Sequence, residues 1–504
     1  MSTGLSVPVA LSAAALDLLP ADLARPRYDR GAVTTGIVHF GVGGFHRAHQ
    51  AMYLDTLMNQ GLALDWGICG VGAMPFDVTM KQVMAQQDCL YTLVLKDADG
   101  SWEPRVIGSI VEYLFAPDDP QAVIEKMADP ATRIVSLTVT EGGYNFHQVT
   151  GRFDAENPAV VADLAPEAVP TTTFGLIVEA LARRRDRGLA PFTIMSCDNI
   201  QGNGQVAHEV FTAFARLRGA AWGDDTLGDW VDHSVPFPDS MVDRITPATT
   251  ADDRREIAER FGITDGWPVV CEPFTQWVLE DTFVSGRPPL ERVGVQIVED
   301  VKPYELIKLR LLNAGHQGLC YFGYLAGYRL VHDVAQDPLF ARFLLAYMQD
   351  EATPTLSQVP GIDLDTYRRQ LIDRFSNSAV RDTVARLCAE SSDRIPKWLL
   401  PVITENLAAG RHITLSAAIV ASWARYAEAV DEDGTPIEVV DRFRDVVLDA
   451  ARRQHNDPLA FVANRQFFGD LADEERFTGP YLAAIDSLHR VGARATLQEL
   501  MQGR

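Results

Sequence analysis

The chain lacks any paired-cysteine signature. Its six cysteines, Cys69, Cys89, Cys197, Cys271, Cys320 and Cys388, lie far apart, with no C-x-x-C and no His/Cys group at zinc spacing. This spacing argues against a disulfide framework or a structural zinc site and predicts free, buried thiols in a reducing cytoplasm. Positive charge is also scarce. Lys and Arg number 45 against 68 Asp and Glu, a formal net charge of −23, and no Lys/Arg block stands out. Such a balance favours solubility and counts against nucleic acid or an anionic membrane as partner. No apolar run approaches the ~18 residues of a membrane span. The N-terminus has no basic stretch followed by an apolar run, so no signal peptide is expected. Internal repeats and low-complexity tracts are absent.

What is present is a long globular chain. Its 504 residues exceed one ordinary core, so two large domains are expected. A hydrophobic fraction of 47% and a charged fraction of 22% argue against long disorder. Ser12 is a candidate cap for a short helix, Ala13–Leu19. Gly36–Phe40 reads as an apolar strand running into Gly41, Gly43 and Gly44, with a helix from Arg47 to Asn59 and a second strand at Trp66–Val71. Strand, glycine turn, helix and strand make the βαβ unit of a dinucleotide-binding fold. Further strands are expected at Tyr91–Leu95, Arg105–Glu112, Arg133–Thr140 and Phe192–Cys197. Helices are expected at Asp119–Met127, Thr172–Arg185 and Asn203–Arg218, and Ala159–Pro170 reads as a connection. This alternation implies an α/β fold with a mostly parallel sheet. Pro236–Pro289 is irregular in pattern. From Pro303 the chain reads as helical, with turns at Pro354–Pro360, Pro396–Pro401 and Gly434–Pro436. The boundary falls near 290–302, giving a Rossmann-type domain with extensions over 1–295 and a mostly α-helical domain over 296–504.

The turn Gly41-Val42-Gly43-Gly44-Phe45-His46 has the first two glycines of G-x-G-x-x-G, and His46 occupies the third place. Glycines there let the backbone turn tightly and approach a pyrophosphate at the start of the next helix. An acid at the carboxyl end of the second strand should bind the adenosine ribose. Asp65 is at the wrong end, whereas Asp77 is at the right one, though further from the glycines than the usual ~20 residues.

The segment Pro303–Gly323, PYELIKLRLLNAGHQGLCYFG, reads as one helix. At ~100° per residue with Lys308 at zero, Glu305 falls near ~60°, His316 near ~80° and Asn313 near ~140°. The four polar groups therefore share one side, with Leu309 and Leu312 among them. Gly315 and Gly318 each cost roughly 1 kcal/mol against alanine in a helix interior, and close approach of a cofactor ring would account for them. Lys, Asn and His on one arc form a proton-handling group.

With these residues in view, the chain resembles the polyol-specific long-chain dehydrogenase/reductase family, most closely its mannitol-oxidising branch. The matching stretches are Gly41–Gln50 (GVGGFHRAHQ), Ser136–Tyr144 (SLTVTEGGY), Ser196–Asn199 (SCDN), Met241–Pro247 (MVDRITP), Trp267–Pro273 (WPVVCEP) and the Lys308, Asn313, His316 helix, then PGID at 360–363 and DRFSN at 373–377. They run in order over nearly the whole chain. The resemblance implies a metal-independent, NAD-dependent polyol dehydrogenase with its site in a cleft between the two domains. It implies oxidation of a secondary alcohol of a sugar alcohol to a ketose and the reverse, with D-mannitol and D-fructose first and D-arabinitol or sorbitol as further substrates. It makes Lys308 the catalytic base. It makes Asn199 and Asn313 holders of the reacting oxygen, His316 a substrate-orienting residue and Glu305 a helper in moving the proton. Asp243, Arg386 and Arg394 become substrate binders, Arg394 standing where the mannitol enzymes can carry lysine. Gly41, Val42, Gly43, Gly44, Phe45, His46, Asp77 and Glu141 become cofactor residues, with Phe76 where an acid can stand beside the ribose-binding aspartate. A cytoplasmic monomer is implied as well. The base must be neutral to accept a proton, so its pKa has to fall below the ~10.4 of free lysine.

Two rival readings remain. A uronate or sugar-phosphate reductase of the same family would use a basic cluster, for which Arg386, Arg394 and Lys397 are candidates. A non-catalytic NAD-binding sensor would not need Lys308, Asn199, Asn313 and His316 together.

Overall fold

A computed structural model describes residues 8–145, 153–165 and 167–502. The chain divides into two compact units, Met1–Lys302 and Pro303–Arg504.

The first unit is built on a five-stranded, all-parallel sheet. Its strands are Thr35–Phe40, Gly67–Gly72, Ile110–Phe115, Ile134–Leu137 and Thr193–Ser196. Numbered along the chain from Thr35–Phe40, they stand in spatial order 3-2-1-4-5. That order reverses between Thr35–Phe40 and Ile134–Leu137, and the carboxyl ends of such a strand pair are where doubly wound sheets bind ligands. Burial on both faces follows from two-residue alternation. Ile37, Ile68, Ile110, Ile134 and Met195 pack on one side with Leu54, Met58 and Trp277. Val38, Phe40, Cys69, Val71, Val135, Leu137 and Ile194 pack on the other with Ile177 and Phe211.

Several expectations need correction. Arg105–Glu112 is not one strand. Trp102–Ile107 pairs antiparallel with Tyr91–Lys96, and Ile110–Phe115 belongs to the large sheet. The break is at Gly108, where a Cβ would lie 2.6 Å from Pro26 Cγ. The helix expected over Arg47–Asn59 is two helices, Gly44–Ala48 and Gln50–Asn59, separated by His49 at φ −125°, ψ −95°. Ala159–Pro170 contains a helix, Pro158–Leu164, whose cap Asn157 accepts from the Ala159 amide at 2.9 Å. Pro236–Pro289 holds the helix Ala251–Phe261 and the strands Ser240–Asp243, Val269–Cys271 and Gln276–Glu280. Ala13–Leu18 is a 3-10 helix that Ser12 does not cap through its side chain.

The second unit is helical. Thr414–Tyr426, almost wholly buried, packs along the last helix, Glu475–Leu500. A helix apolar all round belongs at the centre of such a bundle. Pro396–Pro401 is a junction rather than a turn: Pro396 lies within Ser391–Trp398, and Pro401 opens Leu400–Ala408. No described helix is long and apolar enough to cross a membrane.

The segment Pro303–Gly323 departs most from the expected regular helix. Lys302–Ile307 and Ala314–Leu325 are α-helical, and Lys308–Asn313 between them is a π-helix. In a π-turn, residues five apart are stacked, so Asn313 lies over Lys308 rather than the ~140° away that an α-helix would give.

Candidate active site

At the carboxyl end of Thr35–Phe40 the glycine turn is sterically required. Gly41 has φ +90°, and a Cβ there would lie 2.1 Å from the Thr138 carbonyl oxygen. On the outer side a Cβ at Gly43 would meet only the Gly41 oxygen, at 3.9 Å, so the exposed turn leaves room for a pyrophosphate. Val42 is buried, and Gly70 on the neighbouring strand makes its room.

His46 fills the third-glycine place differently from a glycine. Its ring stacks on His39 with centroids 3.4 Å apart at 11°, so two flat buried rings separate strand from helix. His39 bonds the Ser136 hydroxyl at 2.8 Å and the Thr138 hydroxyl at 2.9 Å. Burial pushes the His39 imidazole down to about 3 and His46 well below its usual range, so both are neutral. Phe45, half-buried, stacks on His49 at 4.9 Å.

Two buried arginines that the sequence reading missed hold this turn from beneath. Arg47 Nε donates to the Gly43 carbonyl at 3.2 Å and Nη1 to the Trp267 carbonyl, while the Tyr91 hydroxyl donates to the Arg47 carbonyl at 2.6 Å. Arg244 Nη1 donates to the Ala48 carbonyl at 2.6 Å and Nε to the Glu272 carbonyl at 3.0 Å. The first, fourth and fifth matched stretches are thereby tied together.

Asp77 is half-buried beyond the carboxyl end of Gly67–Gly72, its Cβ 2.9 Å from where a Gly72 Cβ would stand. Its carboxylate accepts from the Met74 amide at 2.9 Å. Phe76 is exposed. The Glu141 side chain lies outside the described residues; its backbone opens the short 3-10 turn Glu141–Tyr144 after the fourth parallel strand. Asn199 is exposed in the turn after the fifth. Asp243 is buried at the end of Ser240–Asp243, opposite Gln276 of the antiparallel neighbour.

In the second unit Lys308, Asn313 and Glu305 are all buried, at 7%, 3% and 7% exposure. A solvated stripe is thereby excluded. The Asn313 amide oxygen has no hydrogen-bond partner among the described residues, which leaves that amide available to a ligand. Arg310 braces the π-turn through a bidentate contact with Glu405 at 2.6 and 2.7 Å and a bond to the Thr355 carbonyl at 2.7 Å. His316 is half-buried against Phe375 at 4.5 Å. Burial, and then the charges of Arg386, Arg374, Arg394 and Lys308, hold it well below its usual range. The His316 imidazole is therefore neutral. Arg374, within the matched DRFSN stretch, was not singled out from the sequence.

Gly315 and Gly318 serve packing. A Cβ at Gly318 would lie 3.1 Å from Ile419 Cδ1, and one at Gly315 would lie 3.4 Å from Leu344 Cδ1. The neighbours over both glycines are side chains of the same unit, Leu344, Ile419 and Phe375, and only at Gly318 would a Cβ be crowded. Arg386 is held bidentately by Asp382, at 2.7 Å through Nε. Lys397 pairs with Asp393 at 2.8 and 3.0 Å. Arg394 donates to the carbonyls of Arg386 and Leu387 at 3.2 and 3.1 Å. Among the described residues no cluster of three His, Cys, Asp or Glu side chains suits a metal ion.

Residues 35–292 match the family model of the mannitol dehydrogenase Rossmann domain, and residues 300–489 that of the mannitol dehydrogenase C-terminal domain. The chain is 46% identical to mannitol 2-dehydrogenase of Neosartorya fischeri, over 94% of each chain. Its fold superposes on mannitol 2-dehydrogenase of Pseudomonas fluorescens, solved as a ternary complex with NAD and D-mannitol, with a TM-score of 0.90 at 43% identity, covering 98% of this chain and 100% of the other. A D-sorbitol dehydrogenase in substrate-free form gives a TM-score of 0.86 at 38% identity, covering 97% and 100%. Matched by both domain models and by full-length relatives, the chain belongs to the mannitol dehydrogenase family.

Proposed function

We propose that the chain oxidises D-mannitol at a secondary alcohol to D-fructose, and runs the reverse reduction, with NAD as cofactor. The observation that carries this reading is the buried Lys308 set one π-turn from Asn313, in a chain alike over its full length to an enzyme solved with NAD and D-mannitol.

The turn Gly41–Gly44 fits a dinucleotide pyrophosphate, with Val42, Phe45 and His46 forming and supporting it, and Asp77 fits the adenosine ribose. Glu141 belongs to the same cofactor set. Bound NAD supplies the hydride acceptor. Lys308, neutral at the start of oxidation, takes the hydroxyl proton of the reacting carbon. Asn199 and Asn313 donate to that oxygen and strengthen their hold as it becomes an alkoxide. Glu305, three residues before Lys308, passes the proton on. His316 orients the polyol, and Asp243, Arg386 and Arg394 receive its remaining hydroxyls. We place the enzyme in the cytoplasm as a monomer; six free, buried cysteines support the compartment.

An anionic substrate is less well served. Of the three cations a carboxylate or phosphate would use, Arg386 and Lys397 are already paired with carboxylates. D-sorbitol is the second reading, favoured by the likeness to a D-sorbitol dehydrogenase.

Turnover with mannitol, arabinitol, sorbitol, fructuronate and mannitol 1-phosphate tests the assignment. Mannitol should give the highest kcat/KM. A clear preference for either anion would overturn it. The rate of oxidation should rise with pH through one ionisation that Lys308→Ala removes and His316→Ala keeps; the opposite pattern would make the histidine the base.

A further inference from the structure

We propose that Asp198 is a positioning residue of this reaction, its buried carboxylate fixing both the turn that presents Asn199 and the loop 138–144. The proposal rests on the role given above to Asn199. Asp198 is 6% exposed. One carboxylate oxygen accepts from the Thr140 amide at 2.7 Å, and the other from the Val139 amide at 3.1 Å and the Tyr144 hydroxyl at 2.8 Å. A carboxylate has no proton to give, so Tyr144 is the donor, and the Ser196 hydroxyl, 2.6 Å away, donates to the phenol oxygen. Burial and the charge of Asp198 raise the Tyr144 phenol well above its usual range, which keeps it a donor.

The loop needs such a clamp. Thr140 has φ +63° and ψ 170°, a conformation that a β-branched residue resists. Its amide is held in that conformation by the carboxylate. The backbone of Asp198 is fixed as well. Its amide donates to the Ser196 hydroxyl at 3.3 Å, and its carbonyl accepts from Asn203 Nδ2 at 2.9 Å. Asn203, 1% exposed, also donates to the Ser240 carbonyl at 2.7 Å and accepts from the Ser240 amide at 3.0 Å. Ser240 in turn donates through its hydroxyl to the Ser196 carbonyl at 2.6 Å. One buried node therefore joins the loop around Glu141, the turn of Asn199 and the strand that ends in Asp243. Asparagine cannot replace Asp198, because one of its two positions is an NH2 that would face a backbone N–H.

The test is a double-mutant cycle on the full enzyme, with NADH affinity and amide exchange measured alongside. Asp198→Asn should lower kcat at least tenfold through Asn199 and raise KM for NAD through the loosened loop of Glu141. In an Asn199→Ala background it should lower kcat no further, because it acts through that residue. Tyr144→Phe, which leaves both amide bonds to the carboxylate, should lower kcat two- to fivefold, and this loss too should vanish in the Asn199→Ala background. It also serves if Asp198→Asn does not fold. Exchange of the Val139 and Thr140 amides should quicken at least tenfold in Asp198→Asn. Additive losses, an unchanged kcat in the folded variants, or unchanged exchange would each overturn the positioning role. An unchanged kcat in Asn199→Ala alone would instead overturn the role of Asn199, and the amide exchange then decides the clamp by itself.

Discussion

Asp77 stands beside Gly72 at the carboxyl end of the second parallel strand. Lys81, the first basic residue after it, is paired with Asp118. A 2′-phosphate would meet a carboxylate there, so NAD should be preferred to NADP. Asp77→Ala should raise KM for NAD by about tenfold, the equivalent of one charge-assisted hydrogen bond of about 1.5 kcal/mol. It should also narrow the gap to NADP and leave KM for the polyol unchanged; comparable kcat/KM for the two cofactors in the unaltered enzyme would contradict this. His39 and His46 carry a second expectation. Both are neutral in the fold, and each ionises near ~6.5 when unfolded. As pH falls below ~6.5 the unfolded chain binds protons first. Stability is therefore full above that pH and declines by about 1.4 kcal/mol per pH unit for each histidine. For His39 the decline ends at about 3, where the folded form also protonates. Denaturant titrations from pH 7 to pH 5 should show this slope, reduced by one proton in His39→Gln. The sequence showed that His46 displaced a glycine, but not that a second histidine, seven residues earlier on the strand, would stack under it. That pairing depends on the strand facing the helix, which spacing alone does not show.

At the scale of elements, the helix carrying Lys308 shows what sequence periodicity can and cannot reveal. Its position and its polar residues were legible because Glu305, Lys308, Asn313 and His316 recur at helical spacing. Its π-turn was not, because one extra residue per turn leaves no mark in composition. Inserting one alanine after Leu312 would set Lys308 and Asn313 six residues apart, about 120° from each other at α-helical spacing. We expect kcat to fall at least a hundredfold while NADH still binds; retained turnover would show that the register of Asn313 over Lys308 is incidental. Gly315→Ala separates two explanations of the helix glycines. The packing neighbours predict an unchanged KM for NAD and a stability change within about 1 kcal/mol. A tenfold rise in KM would restore the cofactor explanation. The false single strand over Arg105–Glu112 has a similar origin. Its residues are apolar enough on both sides of Gly108 to read as one run, and only the contact with Pro26 reveals the corner. The burial of Arg47 and Arg244 escaped notice although both lie inside matched stretches, because a charged residue next to the glycines or Asp243 of a motif reads as surface.

At the scale of the whole molecule, the parallel sheet and the helical second unit followed from alternation and glycine placement, because these are long-period signals, whereas the order of the strands in the sheet did not. The irregular reading of Pro236–Pro289 failed because its strands are only three to five residues long. NADH at one hundred times its Kd should add about 2.7 kcal/mol to the stability of the state that binds it. Exchange protection should concentrate at Gly41–Gly44 and 138–145, with Thr414–Tyr426 unchanged; a melting temperature insensitive to NADH would contradict the assignment of the glycine turn. The clamp around Asp198 also has a consequence in time. The fifth parallel strand ends at Ser196, but Asn203 fastens the following turn to Ser240, whose strand is itself completed by pairing with Gln276–Glu280. During synthesis, at about 5–20 residues per second, the five strands are complete several seconds before the segment that anchors the turn after the fifth has left the ribosome. We therefore expect the amides of Val139 and Thr140 to gain protection later than the sheet in pulsed exchange during refolding; simultaneous protection would show that Asp198 holds the loop without its anchor.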